Sequence, residues 1–170
     1  MVGVDHEQLT QLLDQHSAAL VLYAHQWCRT PEDVVQEAFL RLMRERPAPT
    51  NAVGWLYRVV RNGAIDASRA AGRRDNYETS AASERVPWFV LSADDAVDGE
   101  AAVSILEMLP IDEREVIVLR LWGGQSFEQI AELIGHSTST AHRRYEAGIA
   151  ALRNQMNNAY RERGLNDDTR

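Results

Sequence analysis

Apolar residues recur at helical spacing in two blocks of the chain, and signals for β-strands are almost absent. The segment between the blocks is acidic and rich in Ala and Ser, as is typical of a linker. We therefore predict an all-α protein of two small helical domains joined by a linker, with a helix-turn-helix in the C-terminal domain. The expected boundaries are 1–74 for the first domain, 75–99 for the linker, 100–163 for the second domain and 164–170 for the tail.

The first block predicts three helices, at about 5–28, 31–46 and 51–71. The second of these has a clear start, because Thr30 is a good N-cap, Pro31 suits the first helical position and Asp33 completes a capping box. The positions expected to face the core are Val34, Val35, Ala38, Phe39, Leu42 and Met43 on the second helix, and Trp55, Leu56, Val59, Val60 and Ile65 on the third. The opposite face of the third helix carries a stripe of arginines with few acids nearby.

The second block predicts a helix over 102–109 and then a helix capped by Asp112 and ended by Gly123 and Gly124. The core face of the capped helix is expected to comprise Val116, Ile117, Leu119, Leu121 and Trp122. A helix-turn-helix follows. Its expected landmarks are a capping box of Ser126 with Gln129, the small contact residue Ala131, the turn residue Gly135, and a second helix from Ser137 or Thr138 to about Tyr160. The apolar positions expected to lock its helices together are Ile130, Leu133, Ile134, Ala141, Tyr145, Ile149 and Leu152.

The composition is that of a globular protein, with 45% hydrophobic residues. No apolar run approaches the ~20 residues that span a bilayer, and the first residues lack the layout of a signal peptide, so we expect a cytoplasmic protein without membrane insertion. Cys28 is the single cysteine and has no partner for an internal disulfide. His25 and Cys28 have a metal-like spacing, but no second pair lies nearby, so we predict neither a metal site nor a cofactor.

The net charge of −7 at first argues against a DNA-binding protein, but the distribution of charge matters more than the sum. All 18 basic residues are Arg. Residues 1–74 hold nine Arg and eight acids, residues 75–98 hold one Arg and six acids, and residues 99–160 hold five Arg and eight acids. Because non-specific affinity comes mainly from neutralised phosphates, we expect the free chain to bind DNA weakly.

Two stretches of the chain carry a family resemblance. Residues 109–120 (Leu-Pro-Ile-Asp-Glu-Arg and onward) and 122–135 (Trp-Gly-Gly-Gln-Ser-Phe and onward) resemble region 4 of bacterial sigma factors. Residues 33–43 resemble region 2.2, and residues 55–66 (Trp-Leu-Tyr-Arg-Val-Val and onward) resemble regions 2.3 and 2.4. Two separate motifs in the right order make the resemblance specific. In its short length and its lack of regions 1 and 3, the chain resembles the extracytoplasmic-function (ECF) group.

The resemblance implies a polymerase contact on the second helix. In the family, region 2.2 docks on the clamp helices of the β′ subunit of core RNA polymerase, and the β flap is a further partner. The matching positions here are Asp33, Gln36, Glu37, Leu40 and Met43. Helical spacing independently leaves the first four exposed, whereas Met43 lies nearer the buried stripe.

The resemblance also implies that the third helix captures and melts the minus-10 promoter element. Asn62 matches a position linked to strand opening, and the loop 47–54 corresponds to the segment that accepts a flipped-out base. Trp55 is expected in the core, with stacking on DNA as the alternative. The residues expected to contact minus-10 DNA are Arg58, Arg61, Asn62, Arg69, Arg73 and Arg74.

The last helix matches the family's minus-35 recognition helix. Hydroxyls at a helix N-terminus suit phosphate and base-edge contacts, and Arg suits guanine. The matching positions are Ser137, Thr138, Ser139, Thr140, His142, Arg143 and Arg144. The chain departs from the family pattern at His142, where Lys is frequent, and at Glu146 and Ala147, where basic residues are frequent. Glu146 should weaken the attraction of this face to the DNA backbone.

The function expected from these features is that of a sigma factor, without enzymatic activity, which binds core RNA polymerase and promoter DNA and directs transcription initiation. A stand-alone helix-turn-helix regulator and a polymerase-binding adaptor without promoter opening are the alternatives. An anti-sigma factor is a possible further partner. The apolar island at 86–91 is expected either to anchor the linker on the polymerase or to fold back on a helical domain.

Overall fold

The computed structural model describes residues 3–75 and 106–167. Within these ranges all the regular secondary structure is helical, which confirms the predicted all-α class. The helices are α1 (His6–Ala24), α2 (Pro31–Arg44), α3 (Ala52–Asp75), α4 (Ile111–Leu121), α5 (Phe127–Ile134) and α6 (Thr138–Asp167). We call α1–α3 the N-terminal module and α4–α6 the C-terminal module. The apolar island at 86–91 and the first half of the helix predicted at 102–109 lie outside the described residues, and of the second half Leu106 and Glu107 are helical.

The three helices of the N-terminal module pack on one another around an apolar core. The first helix starts at a genuine cap, because the Asp5 carboxylate accepts a hydrogen bond from the backbone N–H of Gln8 at 2.8 Å. The side chains that fill the core are Leu20, Leu22, Tyr23, Val35, Phe39, Leu42, Leu56, Tyr57 and Val60. The amphipathic faces predicted for the second and third helices therefore point inward as expected, with Trp55, Val59 and Ile65 half-buried at the edge.

Three details of this module differ from the expectation. Thr30 precedes the first turn of α2, but its side chain makes no capping hydrogen bond, so the predicted capping box with Asp33 does not form. The prediction that Met43 lies on the buried stripe is wrong, since the residue is 47% exposed. The second helix ends at Arg44 rather than Arg46, and the third continues to Asp75.

The helix-turn-helix forms in the C-terminal module as predicted. Ser126 and Gln129 make a complete capping box at the start of α5. Gly135 ends that helix with φ +71°, a left-handed conformation that favours glycine. Ala131 is buried where α5 meets α6, together with Ala141. The two helices are thus held at a fixed angle by small residues and a glycine turn.

The helix that precedes Gly123 and Gly124 differs from the expectation at its start and on its core face. Asp112 is not the cap: Pro110 holds that position and Asp112 lies in the first turn, where its carboxylate pairs with Arg144. Leu121 and Trp122, predicted to be in the core, are exposed because the helix ends there. Glu115 and Val118 are buried instead.

The two modules pack directly against each other. One cluster of buried side chains runs through both, joining Tyr23, Leu56, Tyr57 and Val60 of the N-terminal module to the C-terminal residues Val116, Val118, Leu119, Ile130, Ala131 and Ile134. Gly123 lies at this junction. A Cβ atom added to it would come within 3.0 Å of the Tyr57 ring and 2.7 Å of the Leu119 carbonyl oxygen. The close approach therefore requires glycine at this position.

Candidate nucleic-acid interface

The first turn of α6 presents hydroxyl groups at the surface. The Ser137 Oγ accepts a hydrogen bond from the backbone N–H of Thr140 at 3.2 Å and contacts the Thr140 Oγ1 at 3.0 Å. Ser139 is exposed, and Thr138 and Thr140 are half-buried. Ser137 therefore caps this helix. This member of the predicted minus-35 set has a structural role at the helix start in addition to its exposed position.

The three basic positions that follow have different surroundings. The His142 ring stacks on Phe127 with centroids 3.7 Å apart, so one of its faces is already used in packing. The Arg144 guanidinium pairs with the Asp112 carboxylate at 2.9 Å and is only 19% exposed. Arg143 is exposed and makes no ion pair within the described part of the chain. Of the two arginines in the predicted minus-35 set, Arg143 is thus the one that a DNA phosphate or base could meet without displacing an ion pair.

The arginine stripe of α3 meets acids of the C-terminal module. The Arg58 Nη2 lies 2.6 Å from the Glu132 Oε1, and the Arg61 Nε lies 2.7 Å from the Glu115 Oε1. Arg69 pairs loosely with Asp66 on its own helix, at 3.7 Å. Asn62, Arg69 and Arg73 are exposed, and the side chain of Arg74 lies outside the described residues. The expectation that few acids lie near the stripe is wrong, because Arg58 and Arg61 are paired with acids of the C-terminal module that are distant in the sequence.

Glu115 is the buried centre of this junction. Its side chain is 4% exposed and accepts hydrogen bonds from the Tyr23 hydroxyl and the Arg61 Nε, each at 2.7 Å. Burial, together with the charge of Glu115, raises the pKa of Tyr23 well above its ordinary value, so the hydroxyl keeps its proton and donates a hydrogen bond to the carboxylate. The two donors satisfy a charge that would otherwise be costly to bury.

The loop before α3 also faces the C-terminal module. The Asn51 Oδ1 accepts a hydrogen bond from the backbone N–H of Gly54 at 2.9 Å, which fixes the end of the loop. A cavity of about 230 Å³ lies beside it. Its walls combine Pro49, Asn51, Gly54, Trp55 and Arg58 with Gln125, Gln129, Glu132 and Leu133. One side of the segment predicted to accept a flipped base therefore faces α5. Trp55 is half-buried in this wall, so it is neither fully in the core nor fully exposed for stacking on DNA.

The predicted polymerase contacts form one exposed face of α2. Asp33, Gln36, Glu37, Leu40 and Met43 are all exposed, and Arg41 binds Glu37 at 3.0 Å. An apolar groove of about 350 Å³ runs beside them between α1 and α2. It is lined by Leu9, Leu13, Val21, Val35, Phe39, Leu40 and Met43, with Glu32 and Gln36 at its rim. The exposed apolar residues of α2 thus continue onto α1.

Comparison with known proteins assigns the chain to a family. The family models "Sigma-70 region 2" and "Sigma-70, region 4" match residues 12–74 and 100–152. The ECF RNA polymerase sigma factor SigL of Mycobacterium tuberculosis is 31% identical over 154 residues, which cover 84% of this chain and 85% of SigL. This chain belongs to the ECF sigma factor family. As an ECF sigma factor it binds core RNA polymerase and promoter DNA, and it directs promoter recognition and transcription initiation.

Two further relatives of this ECF sigma factor differ in length and in similarity. A probable RNA polymerase sigma factor of Xanthomonas campestris, RfaY, is 30% identical over 134 residues. The match covers 74% of this chain but only 34% of that protein. The structure of the sigma factor RpoE in complex with the anti-sigma factor NepR from Bartonella quintana has a TM-score of 0.62 at 22% identity, covering 89% of this chain and 98% of that one. The last comparison supports the fold.

The residues that join the modules of this ECF sigma factor were missed by the sequence analysis. They are Tyr23, Tyr57, Glu115, Gly123 and Glu132. Only Glu115 gives a local signal, because it shares a helical face with the buried residues Val118 and Leu119. An acid on an apolar face implies a buried partner, but the spacing cannot identify Tyr23 or Arg61 as that partner.

Neither a metal site nor a membrane span is found in the part of the chain that the structure describes. No group of three or more His, Cys, Asp or Glu side chains in residues 3–75 and 106–167 is arranged to hold a metal ion. None of the helices described is both long and apolar enough to cross a bilayer.

Proposed function

We propose that this sigma factor divides its binding surfaces between the two modules, with boundaries at 1–74 for the first domain and 100–163 for the second. The first turns of α6 would read the minus-35 element as duplex DNA. The arginine face of α3 and the loop 47–54 would bind the melted minus-10 element. The exposed face of α2 would dock on the polymerase clamp helices. The chain would act in the cytoplasm and bind promoter DNA and polymerase without enzymatic activity of its own. The polymerase would catalyse RNA synthesis.

The exposed Arg143 on an intact helix-turn-helix is the observation that carries the minus-35 assignment. A helix held by a capping box and a glycine turn presents its N-terminal residues to a major groove without rearrangement. Ser139 and Arg143 are exposed there, and the capping Ser137 fixes the first turn. These groups can donate to phosphate oxygens and base edges. Arg144 joins them only if its guanidinium leaves Asp112.

The apolar groove supports the polymerase assignment. Leu13, Leu40 and Met43 are exposed large hydrophobic residues in the described part of the chain, and they lie side by side along the groove. A cluster of this kind is typical of a protein interaction site. We propose that the polymerase surface covers this groove as well as the polar residues Asp33, Gln36 and Glu37, so that α1 takes part in docking.

An anti-sigma factor is a reasonable further partner. The RpoE structure from Bartonella quintana that resembles this chain was solved with the anti-sigma factor NepR. We propose that this chain binds a protein of the same kind, which would compete with polymerase for the groove between α1 and α2.

Transcription from a promoter library with purified core polymerase tests whether the two modules carry separate binding surfaces. Arg143→Ala with Arg144→Ala should abolish minus-35-dependent transcripts and leave polymerase binding intact. Gln36→Ala with Glu37→Ala should weaken polymerase binding and leave the helix-turn-helix unaffected. Loss of polymerase binding in the Arg143 and Arg144 variant contradicts the two-module proposal. Tight duplex binding without any new transcript favours the stand-alone regulator, and polymerase binding without transcripts favours the adaptor.

A further inference from the structure

The junction between the modules uses the same arginines that the proposed function assigns to minus-10 DNA. Arg58 and Arg61 both project from α3 toward the C-terminal module, and each meets one carboxylate oxygen there. The distances of 2.6 Å to Glu132 and 2.7 Å to Glu115 are those of charge-assisted hydrogen bonds. A DNA phosphate would offer the same guanidinium groups the same kind of anionic oxygen.

We propose that in the free chain Glu115 and Glu132 take the place of DNA phosphates on Arg61 and Arg58, so that the C-terminal module masks this part of the proposed minus-10 surface until the modules separate. We call the observed packing of the modules the closed arrangement. The inference rests on the proposed function, because it requires that Arg58 and Arg61 bind DNA.

The mask covers more than the two arginines. The cavity beside the loop 47–54 has Gln125, Gln129 and Leu133 of the C-terminal module as one of its walls. A strand of DNA that entered this loop would meet α5 directly. At Gly123 the modules approach so closely that an added Cβ atom would lie 3.0 Å from the Tyr57 ring. The side of the loop that lines this cavity therefore faces the C-terminal module in the closed arrangement, while Pro47, Thr50 and Asn51 are exposed.

The two ion pairs contribute unequally to the closed arrangement. Arg58 and Glu132 are both more than half exposed, so water and salt screen their attraction. Glu115 is buried and also holds the Tyr23 hydroxyl, and Arg61 is 26% exposed. Separating the modules exposes Glu115 to water and frees Arg61 for a phosphate. The buried pair is thus the main electrostatic contact to weaken, and the exposed pair is a minor one.

DNA binding and compactness of the full chain test the inference together. The variants are Glu115→Gln, Glu132→Gln and the two combined. The matched controls are Asp14→Asn alone and with Glu7→Gln, which remove the same charge from exposed positions on α1. The probe is a fluorescent 20-nucleotide single-stranded DNA of random sequence. Small-angle X-ray scattering reports the radius of gyration, and circular dichroism reports helix content for every variant.

We expect the combined variant to expand in solution and to bind the probe at least tenfold more tightly than the controls do. Its log affinity should fall more steeply with log salt, by about 1.4, because two freed arginines neutralise two more phosphates of a single strand. Adding Arg58→Ala and Arg61→Ala should remove this gain. Glu132→Gln alone should raise the affinity for the probe only two- to threefold. Because this substitution alters an exposed residue, it still tests the inference if Glu115→Gln loses helix content.

Three results for the combined variant would overturn the inference. The chain could expand without binding the probe more tightly, it could gain no more affinity than the control variants do, or neither its radius of gyration nor its affinity could change. A separate measurement distinguishes this failure from that of the proposed function. If Arg58→Ala with Arg61→Ala leaves holoenzyme transcription unchanged, the minus-10 assignment itself is wrong. If that variant abolishes transcription while the glutamate variants bind DNA no better, only the masking is wrong.

Discussion

Arginines of α3 and of α6 in this sigma factor are paired with acids in different modules. On α3, Arg58 and Arg61 pair with Glu132 and Glu115, which belong to the other module. On α6, Arg144 pairs with an acid of its own module, and Arg143 pairs with none among the described residues. The proposed minus-35 helix therefore keeps Arg143 exposed while the modules are packed together, whereas Arg58 and Arg61 of the proposed minus-10 face are paired with the other module.

The difference indicates an order of events. A surface whose partners lie within its own module keeps its geometry when the modules separate, so α6 can meet duplex DNA in either arrangement. A surface whose partners lie across the junction changes its charge when the modules separate. Arg58 and Arg61 would then become free for minus-10 DNA only after the modules have separated, whereas the α2 face proposed for polymerase is exposed in the closed arrangement.

The largest expected effect is on the buried pair. Glu115→Ala leaves the Arg61 guanidinium and the Tyr23 hydroxyl without their acceptor, and should lower the free energy of unfolding by about 3 kcal/mol. Glu132→Ala, the matched change at the exposed pair, should lower it by at most about 1 kcal/mol. Urea unfolding followed by circular dichroism measures both. Equal losses would show that burial of Glu115 is not what distinguishes the two contacts.

The next effect separates the junction from the local turn. Gly123→Ala places a methyl group against the Tyr57 ring and the Leu119 carbonyl, and should cost about 2 kcal/mol. Gly124→Ala adds its methyl group where no atom lies within 4 Å, but forces alanine to φ +62°, at about 1 kcal/mol. Thermal unfolding compares the two. Only Gly123→Ala should also expand the chain in scattering measurements, and expansion by Gly124→Ala would contradict this distinction.

A smaller effect is expected within the C-terminal module. Asp112→Asn removes the partner of Arg144 at an exposed site, and should change the free energy of unfolding by less than about 1 kcal/mol. Because the guanidinium is freed, affinity for duplex DNA should rise about two- to threefold, in line with one additional phosphate contact. Fluorescence anisotropy on a random duplex measures the change, with Asp14→Asn as control. A fall in affinity would mean that Asp112 positions Arg144 for DNA.

The smallest effect concerns a histidine at the junction. His25 lines a cavity shared with Leu106, Glu107 and Arg114, and burial lowers its pKa from the ordinary value of 6.5. A lowered folded-state pKa means that the closed chain is most stable above pH 6.5 and loses stability as the pH falls through that value. Opening the modules should therefore raise the pKa of His25 toward 6.5.

Titration of the imidazole protons by NMR measures this change in the Glu115→Gln variant. His16, whose pKa is also lowered by burial, is the internal reference because it lies on α1 and does not line the shared cavity. Its pKa should stay where it is in the wild-type chain. A parallel rise at both histidines would indicate loosening of the N-terminal module itself rather than separation of the modules.

Local features of the fold could be predicted from the sequence where neighbouring residues decide them. The capping box of Ser126 with Gln129 and the left-handed Gly135 are set within a few residues, and both formed as expected. The errors arose where a distant contact decides. Met43 fits the apolar spacing of α2 but lies at an exposed edge, and Asp112 turns from capping to Arg144, 32 residues away.

The candidate site was predictable only in part for the same reason. Helical spacing and the family resemblance identified α2, α3 and α6 as the functional helices, and the residues assigned to polymerase and DNA remain predictions. The partners of the α3 arginines could not be found from spacing. Glu115 lies 54 residues from Arg61, and Glu132 lies 74 residues from Arg58. Contacts at such separations leave no period in the chain.

The sequence by itself determined the all-α class, the helix-turn-helix and the sigma factor family, because caps, glycine turns and amphipathic periods are short-range properties. Only the tertiary structure decided which charges are satisfied and which are exposed. Whether an arginine is free for DNA depends on what a distant segment places against it. In this protein that segment is the other module, with Glu115 buried between Tyr23 and Arg61.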